Sequence, residues 1–275
     1  MIDVVTVGET MAALAPGEVG SLKYINNFAK YIAGAESNVA IGIKRLGFKS
    51  GFISKLGKDP LGDYVEFFVR GEGVDVSQVK RDDEHRTGLL IKEMHTTKEP
   101  KVFYYRENSA ASHLSPDDID EDYIKKARHM HLTGITPALS DSAQNAFFRA
   151  LNYAKQNGLR ISFDPNLRLK LWPSVEEMKK VMLNIIPQVD VLLPGVEEGE
   201  ILLGLDDPED IIKGFYGMME EGSLVVLKLG SEGALYYQGD QIVHVEPYKV
   251  DNIVDLIGAG DAFAAGLITS LLREM

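Results

Sequence analysis

No cysteine occurs in the 275 residues. This excludes a disulfide framework, a thiolate zinc site and a cysteine nucleophile, and it agrees with a reducing, cytoplasmic location. The chain also lacks an excess of positive charge: 29 Lys and Arg against 41 Asp and Glu leave a formal charge of −12. Neither a nucleic-acid surface nor an anionic-membrane surface is expected, so an anionic ligand must be met locally by a few Arg, Lys and backbone donors. No apolar run approaches membrane-spanning length. The N-terminus, Met1-Ile2-Asp3-Val4-Val5-Thr6-Val7-Gly8, has no basic region and reads as a first strand, not a signal peptide. Repeats, low-complexity tracts and linkers are absent. The six histidines show no metal spacing; His129 and His131 alternate along a strand, where they serve packing or edge hydrogen bonding.

Two widespread phosphate motifs are missing as well. The dinucleotide fingerprint needs a third glycine where Phe263 stands, and it belongs after an early strand. The nearest approach to a P-loop, Gly42 to Ser50, has Phe48 in place of the lysine. It also falls on a helix, because Val39, Ala40, Ile43 and Leu46 form an apolar stripe that Gly47 terminates.

What is there is an ordinary globular composition, 45% hydrophobic and 25% charged, in a length that suits one large α/β domain or a domain with a small insertion. Short apolar runs alternate with helical stretches, the pattern of a parallel sheet covered on both faces. The spacing predicts strands at Val4 to Val7, Gly51 to Ser54, His129 to Leu132, Arg160 to Phe163, Val189 to Leu193, Leu224 to Leu229 and Ala234 to Tyr237. Helices are expected around Leu61 to Val69, Ala143 to Tyr153 and Val175 to Ile185, and Met218-Met219 reads as helix packing. Glu9 to Ile32 and Arg86 to Arg106 break the alternation with strand-like segments and a turn at Thr96 to Pro100; they are expected to pair as an antiparallel flap over the strand ends.

Near the C-terminus stands Asp255-Leu256-Ile257-Gly258-Ala259-Gly260-Asp261-Ala262-Phe263, a glycine-flanked turn feeding a helix with an acidic residue in its first turn. Gly258 and Gly260 remove Cβ atoms that would hold backbone N–H groups away from a ligand, and a helix start offers unpaired donors and a partial positive charge. A phosphoryl group fits there, with Asp261 within reach of whatever attacks it. That points to phosphoryl transfer to an alcohol, with Asp261 taking the proton. The alternative is an aspartate stabilising the first turn of a buried helix.

Four ordered segments, Gly34-Ala35-Glu36-Ser37-Asn38-Val39-Ala40, Gly57 to Gly62, Lys228 to Gly233 and Gly258 to Asp261, together resemble the ribokinase-like (PfkB) family of sugar kinases, over nearly the whole chain. Phe103 to Arg106 and Asp164 to Trp172 are most similar to 2-keto-3-deoxygluconate kinases. The resemblance implies one α/β domain over residues 1–275: a central, mostly parallel sheet with helices on both faces, and a small β lid from about residues 9–32 and 86–106. It implies ATP, Mg²⁺ and a sugar hydroxyl as reactants, with Asp261 as general base and the backbone of Gly258, Ala259 and Gly260 as anion hole. Gly34 and Asn38 would lie against the sugar, the glycine permitting close approach and the amide serving hydroxyls; Asn38 read alone also suits a helix cap.

A 2-keto acid carries a carboxylate that a guanidinium fork can hold by two hydrogen bonds, and Arg106 and Arg168 are the candidates. Tyr104 shares a strand face with Arg106. The alternatives are a snorkelling surface Arg106 and a surface ion pair of Arg168 with Glu176. Asn166, Arg168, Lys228, Gly230 and Gly233 correspond to nucleotide-side positions; a lysine inside the run Leu224 to Leu229 needs solvent or an anion. Four departures stand out. Gly195 replaces an asparagine, leaving Glu198 as a Mg²⁺ contact through water; Leu256 replaces a threonine; Leu90 stands where close relatives often have tyrosine; and the chain stops at Met275, where relatives continue into helices that enclose adenine, so a shortened chain is expected. The resulting expectation is an ATP-dependent kinase making 2-keto-3-deoxygluconate 6-phosphate. The alternatives are a fructokinase-like or ribokinase-like enzyme on a neutral sugar, and a sugar- or nucleotide-binding protein that no longer catalyses. The open edges of a lid also suit pairing with a second copy.

Overall fold

β1 (Val4–Val7), a buried β-branched run, sends Val4 to one side of a sheet and Val5 and Val7 to the other. The chain then leaves for a second sheet, where β2 (Met11–Pro16) pairs antiparallel with β3 (Phe28–Ala33). It returns through α1 (Ala35–Arg45) to β4 (Ser50–Gly57), and through α2 (Pro60–Gly71) to β5 (Asp75–Asp82). A second excursion builds β6 (Leu89–Glu93) and β7 (Lys101–Tyr105). The one-turn α3 (Glu121–Ile124), β8 (His129–Thr133), α4 (Asp141–Gln156), β9 (Arg160–Asp164), α5 (Val175–Ile185) and β10 (Val191–Leu192) come next. The chain ends with α6 (Val196–Leu203), α7 (Pro208–Tyr216), β11 (Leu224–Lys228), β12 (Ala234–Gln238), β13 (Gln241–Val245) and α8 (Ala259–Glu274). This computed structural model describes residues 2–95, 100–239, 241–250 and 257–274. All of the expected turn at Thr96 to Pro100 except Pro100 itself lies outside the described residues, as do Asp255, Leu256 and Met275.

Among the described residues the strands form a nine-stranded sheet, ordered β13-β12-β11-β10-β9-β8-β1-β4-β5, and a four-stranded sheet, ordered β3-β2-β6-β7. The large sheet is parallel from β5 through β11, with β12 and β13 antiparallel at one edge. α4, α5 and α7 cover one face, burying Phe147, Met182 and Phe215 against Val5, Leu132, Phe163 and Val225. α1 and α8 cover the other, burying Val39, Ile43, Ala265 and Ile268 against Val4, Val191 and Val226. No helix among the described residues is long and apolar enough to cross a membrane.

α1 and α8 pack closely against each other. A Cβ on Gly42 would come within 2.7 Å of the Ala265 Cβ, so two small residues let the helix backbones approach. Asn38 lies four residues before Gly42 and Asp261 four before Ala265, on the same faces one turn earlier. Beneath these helices His129 and His131 are buried as a pair, one ring nitrogen of each meeting the Ser162 hydroxyl, at 2.7 and 2.8 Å. Burial pushes their pKa values down to about 3 and about 4, with Asp164 opposing the shift at His131, so they serve as neutral core hydrogen-bonding groups.

Several expectations change. The flap is not simply antiparallel: β2 and β6 at its centre run parallel, because both leave the large sheet in the same direction. The strand expected over Val189 to Leu193 shortens to Val191–Leu192, although single backbone hydrogen bonds continue beyond it, from the Asp190 N–H to Ile161 and from the Leu193 N–H to Phe163. Leu46 falls outside α1 and is exposed, the helix ending at Arg45 before Gly47 at φ +94°. β5 (DVSQVKRD) and β13 (QIVHV) escape the apolar-run criterion because they are edge strands with half-solvated faces.

Candidate active site

At the start of α8, Gly258 adopts φ +84° and the Ala262 N–H is the first to close back, onto the Gly258 carbonyl at 2.9 Å. The amides of Ala259, Gly260 and Asp261 therefore have no intrahelical acceptor, and Ala259 and Gly260 are exposed. A Cβ on Gly258 would lie 3.8 Å from the Asn38 amide nitrogen and 3.9 Å from an Asp261 oxygen, so this turn overlooks that pair. Asn38 Nδ2 donates to Asp261 Oδ2 at 2.7 Å. Asn38 does not cap α1, because Gly34 holds that position. Burial raises the Asp261 pKa to about 6, with the Asn38 hydrogen bond and the positive charges of Arg168 and Lys228 opposing and Asp164 adding.

A second group gathers at the C-terminal ends of β9, β10 and β11, where ligands of open α/β sheets bind. Lys228 Nζ donates to Asp164 Oδ2 at 2.7 Å, which explains a lysine at the end of an apolar strand. Sequence reasoning assigns Asp164 no role of its own, although a carboxylate closing an apolar run at a strand's C-terminal end is a readable signal. Asn166 comes two residues later at φ +42°, a left-handed conformation asparagine tolerates, with its N–H on Asp164 Oδ1. Arg168 is exposed, with no pairing to Glu176; Nη1 meets the Leu167 carbonyl at 3.3 Å. Gly230 is exposed, at φ +62° and facing open space. Gly233 owes its identity to packing, since a Cβ would sit 2.1 Å from the Val245 carbonyl oxygen.

Glu198 accepts from the Leu167 and Gly195 N–H groups at 2.8 and 2.7 Å. Burial, and then the Asp164 carboxylate, push its pKa up. No three acidic or histidine side chains converge on one point among the described residues. Two carboxylates without a closed cage fit Mg²⁺, which keeps several waters and takes other ligands from phosphates. Both Glu198 oxygens already hold backbone donors, so a contact through water suits it better than a direct bond.

The third group lies at the root of the lid. Arg106 pairs closely with Glu9, which is 2% exposed, and its guanidinium carbon lies 5.8 Å from the Tyr104 ring centroid. Arg106 is therefore no snorkelling surface residue. Leu90 pairs across the strands with Tyr104 and with Ala13, which in turn pairs with Tyr31, so the four share one row of the lid. Gly34 is glycine for a protein reason: its Cβ would stand 2.3 Å from the Glu9 carbonyl oxygen.

Glu36 belongs to a recognisable segment, yet the sequence alone gives it no role. It is fully buried in the first turn of α1, its Oε1 accepting from Thr133 and Thr136 hydroxyls at 2.7 and 2.9 Å. Gly8 makes room for it, since a Cβ there would lie 2.3 Å from the carboxyl carbon. Burial pushes its pKa from 4.5 up to about 7 against these hydrogen bonds. The folded protein thus keeps a proton that the unfolded chain releases between those values; the resulting contribution to stability is complete below about 4.5 and is lost as pH rises through about 7. Glu36→Gln removes it: denaturant unfolding should show the variant gaining on the wild type with rising pH, by up to ~3 kcal/mol between pH 4 and 8. A pH-independent difference would mean that Glu36 titrates normally.

Comparison with known proteins places the whole chain in one family. The model of the pfkB family of carbohydrate kinases matches residues 1–275. A 2-dehydro-3-deoxygluconokinase from Bacillus subtilis is 43% identical over 272 residues, 98% of this chain and 83% of that protein. Fructokinase-1 from Zea mays is 35% identical, covering 98% of this chain and 83% of its own length. Among solved structures, the 2-dehydro-3-deoxygluconokinase of Thermotoga maritima superposes with a TM-score of 0.92 at 31% identity, covering 100% of this chain and 89% of that one. An E. coli protein assigned as ribokinase II, solved with ATP and Mg²⁺, gives 0.88 at 28% identity, over 99% and 87%. The chain belongs to the pfkB family of carbohydrate kinases.

Proposed function

We propose that this carbohydrate kinase transfers the γ-phosphoryl group of ATP to the 6-hydroxyl of 2-keto-3-deoxygluconate. The observation that carries the reading is the 2.7 Å hydrogen bond from Asn38 to Asp261, two residues 223 positions apart in sequence. It brings the segment expected at the sugar onto the base expected to activate it. The Asp261 carboxylate takes the proton from the attacking hydroxyl; a new O–P bond forms as the bond to the ADP oxygen breaks. Its pKa near 6 keeps it ionised at neutral pH yet basic enough to accept a proton. The first-turn amides of α8 face the phosphoryl group as it transfers, and Lys228, Arg168 and Asn166 serve the nucleotide side. Asp164, and Glu198 through water, would hold Mg²⁺, which would neutralise phosphate charge. Arg106, stacked near Tyr104, supplies a planar fork for the acid's carboxylate. Leu90 favours a second reading: it brings no hydroxyl to the lid row it shares with Tyr31 and Tyr104, which leaves a neutral ketohexose as the competing substrate.

Asp261→Asn should bind both substrates nearly as the wild type does while kcat falls about 10²- to 10⁴-fold. In the wild type, kcat/KM should drop about tenfold per pH unit below pH 6, as the base takes up its proton. Near-normal turnover by the variant in a coupled assay removes Asp261 as base. Arg106→Ala should weaken binding of the sugar acid by roughly 1.5–3 kcal/mol, the worth of a charged hydrogen bond, and leave a neutral ketohexose much less affected. Equal losses for both, measured by calorimetry, would favour the neutral-sugar reading. Phe28, Phe103 and Tyr105 are exposed on the outer strands of the lid, which supports a second copy of the chain as partner there. Sedimentation at micromolar concentration should show a dimer; a monomer throughout would refute it.

A further inference from the structure

We infer that Glu9 is a positioning residue that holds Arg106 ready for the substrate's carboxylate, so that selectivity for an acid is set from the root of the lid. This rests on the carboxylate reading of Arg106 and adds the residue that keeps the guanidinium in place.

Glu9 sits where the chain leaves β1 for β2 and is 2% exposed. A carboxylate there is tolerated only if it is paired and hydrogen-bonded. Arg106, just past β7, supplies the opposite charge, and the Ser109 hydroxyl donates to Oε1 at 2.5 Å. Gly88, just before β6, leaves space, since a Cβ would lie 2.6 Å from the same oxygen. Gly34, the residue before α1, leaves space for the Glu9 carbonyl in the same way. The roots of β2, β6 and β7 thus converge on the Glu9 side chain, and the start of α1 on its backbone.

The arrangement differs from that of an arginine waiting in solvent. The Arg106 side chain is only 10% exposed, so its direction is decided before any substrate arrives. A guanidinium has five N–H donors; Nη2 makes the ion pair with Glu9 Oε2, an oxygen with no hydrogen bond of regular geometry among the described residues. Nε–H is buried with no acceptor among the described residues. A buried donor left unsatisfied is unfavourable, and a second carboxylate is the acceptor that matches it in charge and geometry. Glu9 therefore acts in two opposing ways: it offsets part of the positive charge that attracts an acid, and it removes the rotamer freedom that binding would otherwise have to freeze. Orientation is the larger effect for a fork whose hydrogen bonds depend on direction.

The test is steady-state kinetics at saturating ATP on 2-keto-3-deoxygluconate and on a neutral ketohexose. Glu9→Gln preserves shape and an accepting oxygen but not charge. KM for the acid should rise about tenfold, with kcat, the KM for ATP and the KM for the neutral sugar nearly unchanged. Ser109→Ala, which loosens Glu9 without altering charge, should give a smaller rise in the same pattern, and decides the matter if Glu9→Gln does not fold. An unchanged or lower KM for the acid, or equal rises for both sugars, would overturn the role of Glu9. If Arg106→Ala abolishes discrimination while Glu9→Gln and Ser109→Ala retain it, Glu9 alone is misassigned. If Arg106→Ala leaves discrimination intact, the carboxylate reading fails and the role of Glu9 fails with it.

Discussion

The close approach of α1 and α8 is the contact on which the rest of the site depends. Gly42 against Ala265 brings the two helices together at one level, and one turn earlier the same faces carry Asn38 and Asp261 at hydrogen-bonding distance. Helix packing and site geometry are therefore one constraint. A larger residue at Gly42 would act on Asp261 through a rigid lever, although it lies a full turn away. The same approach aligns the start of α8 with the strand ends that carry Asp164 and Lys228, which is why charges from β9 and β11 bear on Asp261.

In a chain of net charge −12, five acidic side chains are concentrated around this region, and each is stabilised differently. Glu9 has an arginine, Asp164 a lysine, and Glu198 two backbone amides. Asp261 has one side-chain amide and partial solvation, whereas Glu36 has two threonine hydroxyls and no cation. The last two, lacking a directly bonded cation, move up to about 6 and about 7, and Glu198, which has none either, is likewise pushed up by burial. Carboxyl groups with quite different proton affinities thus arise from the same residue chemistry under different partnering.

The alternating α/β architecture and the Gly258 to Asp261 turn are legible in the sequence because each is local: a run of apolar residues, or glycines before a helix. What escapes depends on neighbours distant in sequence. Lys228 can be recognised as anomalous, but its partner Asp164 is found only once β9 and β11 flank β10. Glu9 gives no periodic signal, and its burial comes from the convergence of the lid strands. Gly34 and Gly233 read as ligand-side glycines, but the sequence does not show that their missing Cβ atoms also leave room for the backbone at Glu9 and Val245. A sequence shows that a position must be small, not what occupies the space.

The parallel pairing of β2 with β6 has a further consequence. An antiparallel hairpin can form from its own residues, but these two strands meet only after the intervening chain has passed through β3, α1, β4, α2 and β5. The lid is therefore a product of the main sheet's assembly. Its closure carries the long-loop entropy that makes non-local pairing slow. During synthesis or refolding, the strands that support the lid must be in place before its centre can close. Nor can the lid be transplanted as a unit, because it has no continuous segment of chain to call its own.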